Sequence, residues 1–64
     1  MSGDAPADPD ILRAARRMIE QHGQRAAWQA EARVTALTRD GQQDAAAVWR
    51  RIAEAICAIQ GSAG

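Results

Sequence analysis

Apolar residues recur along this chain at intervals of three and four, and glycines at positions 23 and 41 divide the pattern into three segments. This spacing places apolar side chains on one face of an α-helix. The first segment therefore predicts a helix from about Pro9 to Gln21 or His22. Its apolar face consists of Ile11, Leu12, Ala15, Met18, Ile19 and His22.

The other two segments also predict helices. The second helix is expected from about Gln24 to Arg39, with a thin apolar line of Ala27, Ala30, Val34 and Leu37, and Ala26 alongside. The third is expected from residues 42–44 to about Ile59. It has the strongest apolar face of the chain: Ala45, Val48, Trp49, Ile52, Ala55, Ile56 and Ile59. No alternation typical of a strand is present, so the sequence predicts an all-α fold.

Residues that begin and end helices support these boundaries. Asp8 can cap the first free amides of the first helix, and Pro9 suits its first position. Gly23 and Gly41 can adopt the left-handed conformation that ends a helix. Because both breaks are short, we expect helices 2 and 3 to form an antiparallel hairpin with helix 1 packed across it. Residues 1–7 are expected to be a disordered leader, 8–60 a single helical domain and 61–64 a frayed tail.

The composition leaves little material for a core. The chain has 64 residues, two Trp and no Phe or Tyr, and ordering a chain of this size roughly cancels what its burial can gain. The single cysteine and the single histidine exclude an internal disulfide and a Cys/His zinc site. We therefore predict no cofactor and no metal, and we expect support from a second copy or another protein, as an oligomer or as a subunit of a larger complex.

The sequence also contains no secretory signal pattern and no apolar run near the ~20 residues needed to cross a bilayer. Together with the single thiol, this favours a cytoplasmic protein without membrane contact.

The charged residues are balanced: the chain has eight arginines, no lysine and eight acidic residues, so its net charge is zero. Two cationic edges are expected, one on helix 1 and one on helix 3: Arg13, Arg16 and Arg17, and Arg50 and Arg51. They could bind phosphate or an acidic protein surface. Pairing within their helices with Asp10, Glu20 and Glu54 is the favoured interpretation.

Three further residues have a structural and a functional interpretation. His22 could be a general base or metal ligand, but a histidine packed at the helix end is favoured. Cys57 could be a reactive thiol, but its place near a helix C-terminus disfavours the thiolate, so a semi-buried inert thiol is expected. Trp28 lies about 100° from Ala27, at the margin of its apolar face. It either anchors an interface or folds over the seam, whereas Trp49 is expected in the core.

Several of these positions form a pattern that spans most of the chain: His22-Gly23-x-x-Ala26, Ala30-x-x-Arg33, Leu37, Gly41 and Trp49-x-x-Ile52-x-x-Ala55-Ile56. The pattern resembles a family of short uncharacterised bacterial α-helical proteins with a His-Gly break and a Trp-x-x-Ile-x-x-Ala-Ile C-terminal helix. Gln42 departs from it, since the family is expected to have Asp after the glycine. The resemblance implies the fold and no activity.

We therefore predict a small non-enzymatic interaction module, an accessory subunit, adaptor or regulator that docks through an Ala-lined helix face. Its interface residues would be Trp28, with Arg13, Arg16 and Arg17 as the polar rim. The alternative is a nucleic-acid-binding accessory or regulatory protein using Arg13, Arg16, Arg17, Arg50 and Arg51. A helix-turn-helix outline fits helices 2 and 3, but the second of these offers few polar side chains to read bases.

Overall fold

Helices are the only regular secondary structure in residues 8–62, the part of the chain that the computed structural model describes. Helix α1 spans Pro9–His22, a 3₁₀ turn spans Gly23–Arg25, α2 spans Ala26–Arg39 and α3 spans Gln43–Ser62. The predicted all-α class is confirmed. The predicted leader, residues 1–7, and residues 63–64 of the predicted tail lie outside the described part.

Helix α1 ends at His22, as predicted, but only a three-residue 3₁₀ turn separates it from α2. Gly23 has φ +59°, and its carbonyl accepts the N–H of Ala26 across the 3₁₀ turn. Helical turns therefore follow one another without a gap from residue 9 to residue 39, with a change of direction at Gly23, and again from residue 43 to residue 62. Gly23 thus changes the direction of the chain while its N–H still donates to Ile19 O and its carbonyl still accepts the N–H of Ala26.

The other predicted boundaries rest on visible capping interactions. The carboxylate of Asp8 accepts the N–H of Asp10 at 3.0 Å, and Pro9 is the first residue of α1. At the end of α2, Gly41 has φ +81°. Its N–H donates to Thr38 O at 3.1 Å, and that of Gln42 donates to Leu37 O at 2.9 Å. These two bonds form a Schellman motif, which requires a residue with positive φ at Gly41.

The C-terminal helix is longer than expected. α3 continues to Ser62, so Gly61 is helical rather than part of a frayed tail. A single glycine near a helix end weakens the helix by only about 1 kcal/mol relative to alanine, which does not stop it.

All three α-helices contribute to one small core. Its buried members are four alanines and two isoleucines: Ala15 from α1, Ala26 and Ala30 from α2, and Ile52, Ala53 and Ile56 from α3. Among the described residues, Ile56 is the only large side chain that is fully buried. α2 and α3 share the most extensive contact, and α1 packs against both.

The buried face of α3 is rotated from the predicted one. Ala46 and Ala53, which were not predicted to face the core, are 3 % and 6 % exposed, whereas Val48 is 47 % exposed. Val48 lies about 160° around the helix from Ala46. The rotation follows from the packing, because the flank of α3 that meets α2 is buried whether its residues are large or small.

Candidate docking surface on α2 and α3

Trp28 is the most exposed large apolar side chain of the described residues, at 69 %. It lies about 160° around α2 from Ala30, which is fully buried in the core. The indole therefore points away from the packed face of α2, and Trp28 does not fold over the apolar seam. This exposure is inconsistent with the interpretation in which Trp28 covers the seam. It is consistent with the interpretation in which Trp28 contacts a partner.

The second tryptophan has a different environment. Trp49 is half-buried against the core. The guanidinium of Arg33 on α2 lies 5.1 Å from the centroid of its ring, within the range of a cation–π interaction. Trp49 thus joins α3 to α2 at the edge of the core, while Trp28 has no such contact with the core.

An open groove of about 520 Å³ runs between α2 and α3. It is lined by Glu31, Val34, Thr35, Arg50, Ala53, Glu54 and Cys57. Glu31 is about 100° around α2 from the buried Ala30, and Cys57 is about 100° around α3 from the buried Ile56. None of the residues that line the groove belongs to α1.

Trp28 does not line the groove, but helical spacing places it on the same side of α2. Trp28, Glu31 and Thr35 follow one another at i, i+3 and i+7, which places them along one stripe of the helix. We use the name "groove face" for this stripe together with the α3 side of the groove: Trp28, Glu31, Thr35, Arg50, Glu54 and Cys57. The spacing of the stripe is visible in the sequence, but its position beside α3 depends on how the two helices pack.

The groove face carries charges of both signs. Glu31, Arg50 and Glu54 are exposed, and within residues 8–62 no guanidinium lies within the 4.0 Å of a carboxylate that defines an ion pair. The hydroxyl of Thr35 donates to the backbone carbonyl of Glu31 at 3.2 Å. The charged groups are therefore available to groups brought in by another molecule, whereas the threonine hydroxyl is already used as a donor.

The predicted rim residues lie elsewhere. Arg13, Arg16 and Arg17 are exposed and lie about 100° to 160° around α1 from the buried Ala15. They point away from the core on α1, whereas Trp28 points away from it on α2. No described contact joins the two sets, so their membership of a single interface stays a prediction.

The predicted pairing of arginines within helices is absent from the described residues. Within residues 8–62, none of the three acidic residues forms an ion pair with an arginine: Asp10, Glu20 and Glu54. Exposed pairs of this kind gain little over separate hydration, because each long side chain loses rotamer freedom on pairing. Arg50 and Arg51 also diverge by about 100° around α3, and Arg50 lines the groove.

The two remaining candidate residues are both exposed. His22 was expected to pack at the helix end, and Cys57 was expected to be semi-buried; both expectations are wrong. The turn after α1 is fixed by backbone bonds at Gly23 and by Gln60, whose side-chain amide donates to Gly23 O at 2.9 Å. It therefore needs no contact from His22. Cys57 is turned toward the open groove rather than the core.

Neither a metal cluster nor a membrane span is found in the described part of the chain. No three His, Cys, Asp or Glu side chains of residues 8–62 are grouped so that they could hold a metal ion. None of the helices between Pro9 and Ser62 is long and apolar enough to cross a membrane.

No family model, curated protein or solved structure matches this chain. The resemblance to short bacterial helical proteins therefore stays a prediction. The geometry of the groove face is therefore the basis for the proposed function.

Proposed function

We propose that this chain is a small non-enzymatic docking module that binds a protein partner through the groove face, with Trp28 as the anchor. The exposure of Trp28 carries the proposal. A tryptophan buries a large area when it enters a pocket and is strongly enriched among the residues that dominate binding energy. The Ala-lined part of α2 is not the docking surface in this proposal, since Ala26 and Ala30 are already fully buried.

The small core gives a physical reason for a partner. Five of the seven buried apolar residues are alanines, and each alanine removes little apolar area from water. A domain near 60 residues is marginal when its core is small, and oligomerisation or docking is a common form of support. A surface that adds the area of a tryptophan to this core would contribute much to the stability of the complex.

The proposal includes the packing expected from the sequence, with α2 and α3 as an antiparallel hairpin and α1 across it. Three residues link α2 to α3, too few for the chain to return to the other end of the pair. The bond from Gln60 to Gly23 joins the end of α3 to the start of α2. The contact of Arg33 with Trp49 joins their other halves. All three observations favour the antiparallel arrangement.

Nucleic-acid binding through the arginines is the second candidate. Its support is that Arg13, Arg16 and Arg17 are exposed and form no ion pair among the described residues. However, Asp10 and Glu20 lie on the same exposed part of α1, and Glu31 and Glu54 accompany Arg50 in the groove. These carboxylates repel phosphate, so the distribution of charge favours a protein partner. Binding to phosphate would weaken steeply as salt rises.

The test compares Trp28→Ala with Val48→Ala, which removes the other exposed large apolar side chain from a different helix. Tagged chains are used to capture partners from the native host, with and without nuclease, after circular dichroism has shown equal helicity. We expect Trp28→Ala to lose a nuclease-resistant protein that Val48→Ala retains. Equal capture by the two variants would refute the role of Trp28. Loss of the partner on nuclease treatment would instead favour nucleic-acid binding through the arginines.

A further inference from the structure

Asp40 and Gly41 form an aspartyl-glycine sequence at the end of α2, and both residues are exposed. The backbone nitrogen that follows an aspartate can attack the carboxyl carbon of its side chain, because the product is a five-membered ring. A side chain on the following residue hinders this attack, and glycine has none. The space around Gly41 is also open, since a Cβ built there would meet no heavy atom within 4 Å. The other aspartates of residues 8–62 are followed by larger residues: Asp8 by Pro9, Asp10 by Ile11 and Asp44 by Ala45.

We propose that Asp40 is a site of spontaneous modification, at which the aspartate converts to isoaspartate at a rate controlled by the Schellman motif. The nitrogen of Gly41 loses its proton and forms a bond with Cγ of Asp40, while the hydroxyl of the protonated carboxyl group leaves as water. Water then adds to one of the two ring carbonyl carbons, and the bond from that carbon to the nitrogen breaks. Breakage at Cγ restores aspartate. Breakage at the backbone carbonyl carbon leaves the main chain running through Cγ, with the former backbone carbonyl as a free carboxylate.

The folded backbone at Asp40 opposes ring closure. Its dihedral angles are φ −82° and ψ −2°. The ring requires the nitrogen of Gly41 to eclipse Cβ of Asp40, which for an L-residue with tetrahedral geometry at Cα means a ψ of about −120°. The N–H of Gly41 donates to Thr38 O at 3.1 Å, and that of Gln42 donates to Leu37 O at 2.9 Å. A rotation this large moves both N–H groups away from α2, so the two bonds of the Schellman motif must break first.

The motif can open without unfolding the core. Neither Asp40 nor Gly41 belongs to the core cluster, and exposed helix ends open at a lower free energy than the whole fold. Two backbone hydrogen bonds of ordinary net strength keep such a segment closed by a factor on the order of ten to a hundred. We therefore expect isomerisation in the folded chain to be slowed by this factor but still measurable. The proposal does not depend on the docking function.

The test compares the folded full chain with the same chain unfolded in urea, both incubated at neutral pH. Samples are digested with trypsin at intervals, and isoaspartate is assigned by fragmentation in a mass spectrometer. The peptides that end at Arg50 carry Asp40 together with Asp44, which is an internal control because Ala45 follows it. The variant Gln42→Pro removes the N–H that donates to Leu37 O and keeps the aspartyl-glycine sequence. Its helicity is checked by circular dichroism.

We expect Asp40 to isomerise at least about tenfold faster in urea than in the folded chain, and faster than Asp44 in urea. Folded Gln42→Pro should isomerise faster than the unaltered folded chain, whereas the two should agree in urea. If this variant loses its helicity, the unaltered chain with and without urea decides alone. The inference is overturned if urea leaves the rate at Asp40 unchanged, or if Asp44 matches Asp40 in urea. It is equally overturned if folded Gln42→Pro is no faster, or if the folded chain shows no isoaspartate once the urea sample has converted.

Discussion

Ile56→Ala is expected to destabilise the fold by about 3 to 4 kcal/mol. Ile56 is fully buried, and its neighbours in the core include alanines from both other helices, Ala15, Ala26 and Ala30. The substitution removes three carbon atoms, each worth about 0.8 kcal/mol of transfer free energy. A cavity term adds to this sum, because alanine side chains are too short to move into the space.

The effect should be large relative to the total stability. A chain of 64 residues typically has a free energy of unfolding of about 3 to 10 kcal/mol. Urea denaturation followed by circular dichroism at 222 nm measures the change, with Ile56→Val as the intermediate substitution at about 1 kcal/mol. Val48→Ala provides the matched control at an exposed position of the same helix. A loss below about 1 kcal/mol in Ile56→Ala would mean that the three helices do not meet at this side chain.

Three further results are expected. Gly41→Ala should destabilise the fold by about 1 to 2 kcal/mol, since only the backbone at φ +81° opposes a Cβ there. Gly61 is helical, so Gly61→Ala should be neutral or stabilise the fold by up to about 1 kcal/mol in the same denaturation assay. A larger loss of stability in Gly61→Ala than in Gly41→Ala would contradict the Schellman motif. Gln42→Asp should stabilise the fold by about 0.5 to 1 kcal/mol. Gln42 lies at the N-cap of α3, since its carbonyl accepts the N–H of Ala46 at 3.0 Å, and aspartate is a better N-cap than glutamine. An unchanged urea midpoint would argue against capping at this residue.

The features that sequence predicts well here are local ones. The cap at Asp8 and the positive φ of Gly23 and Gly41 depend on the chemistry of single residues. The three helical segments follow from apolar spacing over a dozen residues. The 3₁₀ continuation at Gly23 was missed, because a glycine that ends a helix and one that only redirects it have the same local signature.

The features that sequence predicts poorly depend on the neighbours of each helix. The apolar pattern of α3 favours Val48 over Ala46 because valine is larger, yet Ala46 is buried and Val48 is not. Burial follows the direction of α2, which hydropathy does not encode. The same reason explains the groove: Glu31 and Thr35 look like an ordinary exposed helix surface until α3 is placed beside them.

The use of alanine in the core connects these observations to the proposed function. Alanines at positions 15, 26 and 30 let the helices approach closely, but they leave Ile56 as the only large fully buried side chain in the described part of the chain. The same chain leaves one of its two tryptophans, Trp28, outside the core. A tryptophan on the inner face of α2 would force the helices apart, whereas on the groove face it can contribute its area when a partner binds. The close packing of the monomer and the exposure of Trp28 are thus consequences of one distribution of small and large residues, and it favours a chain whose full apolar burial is reached only in a complex.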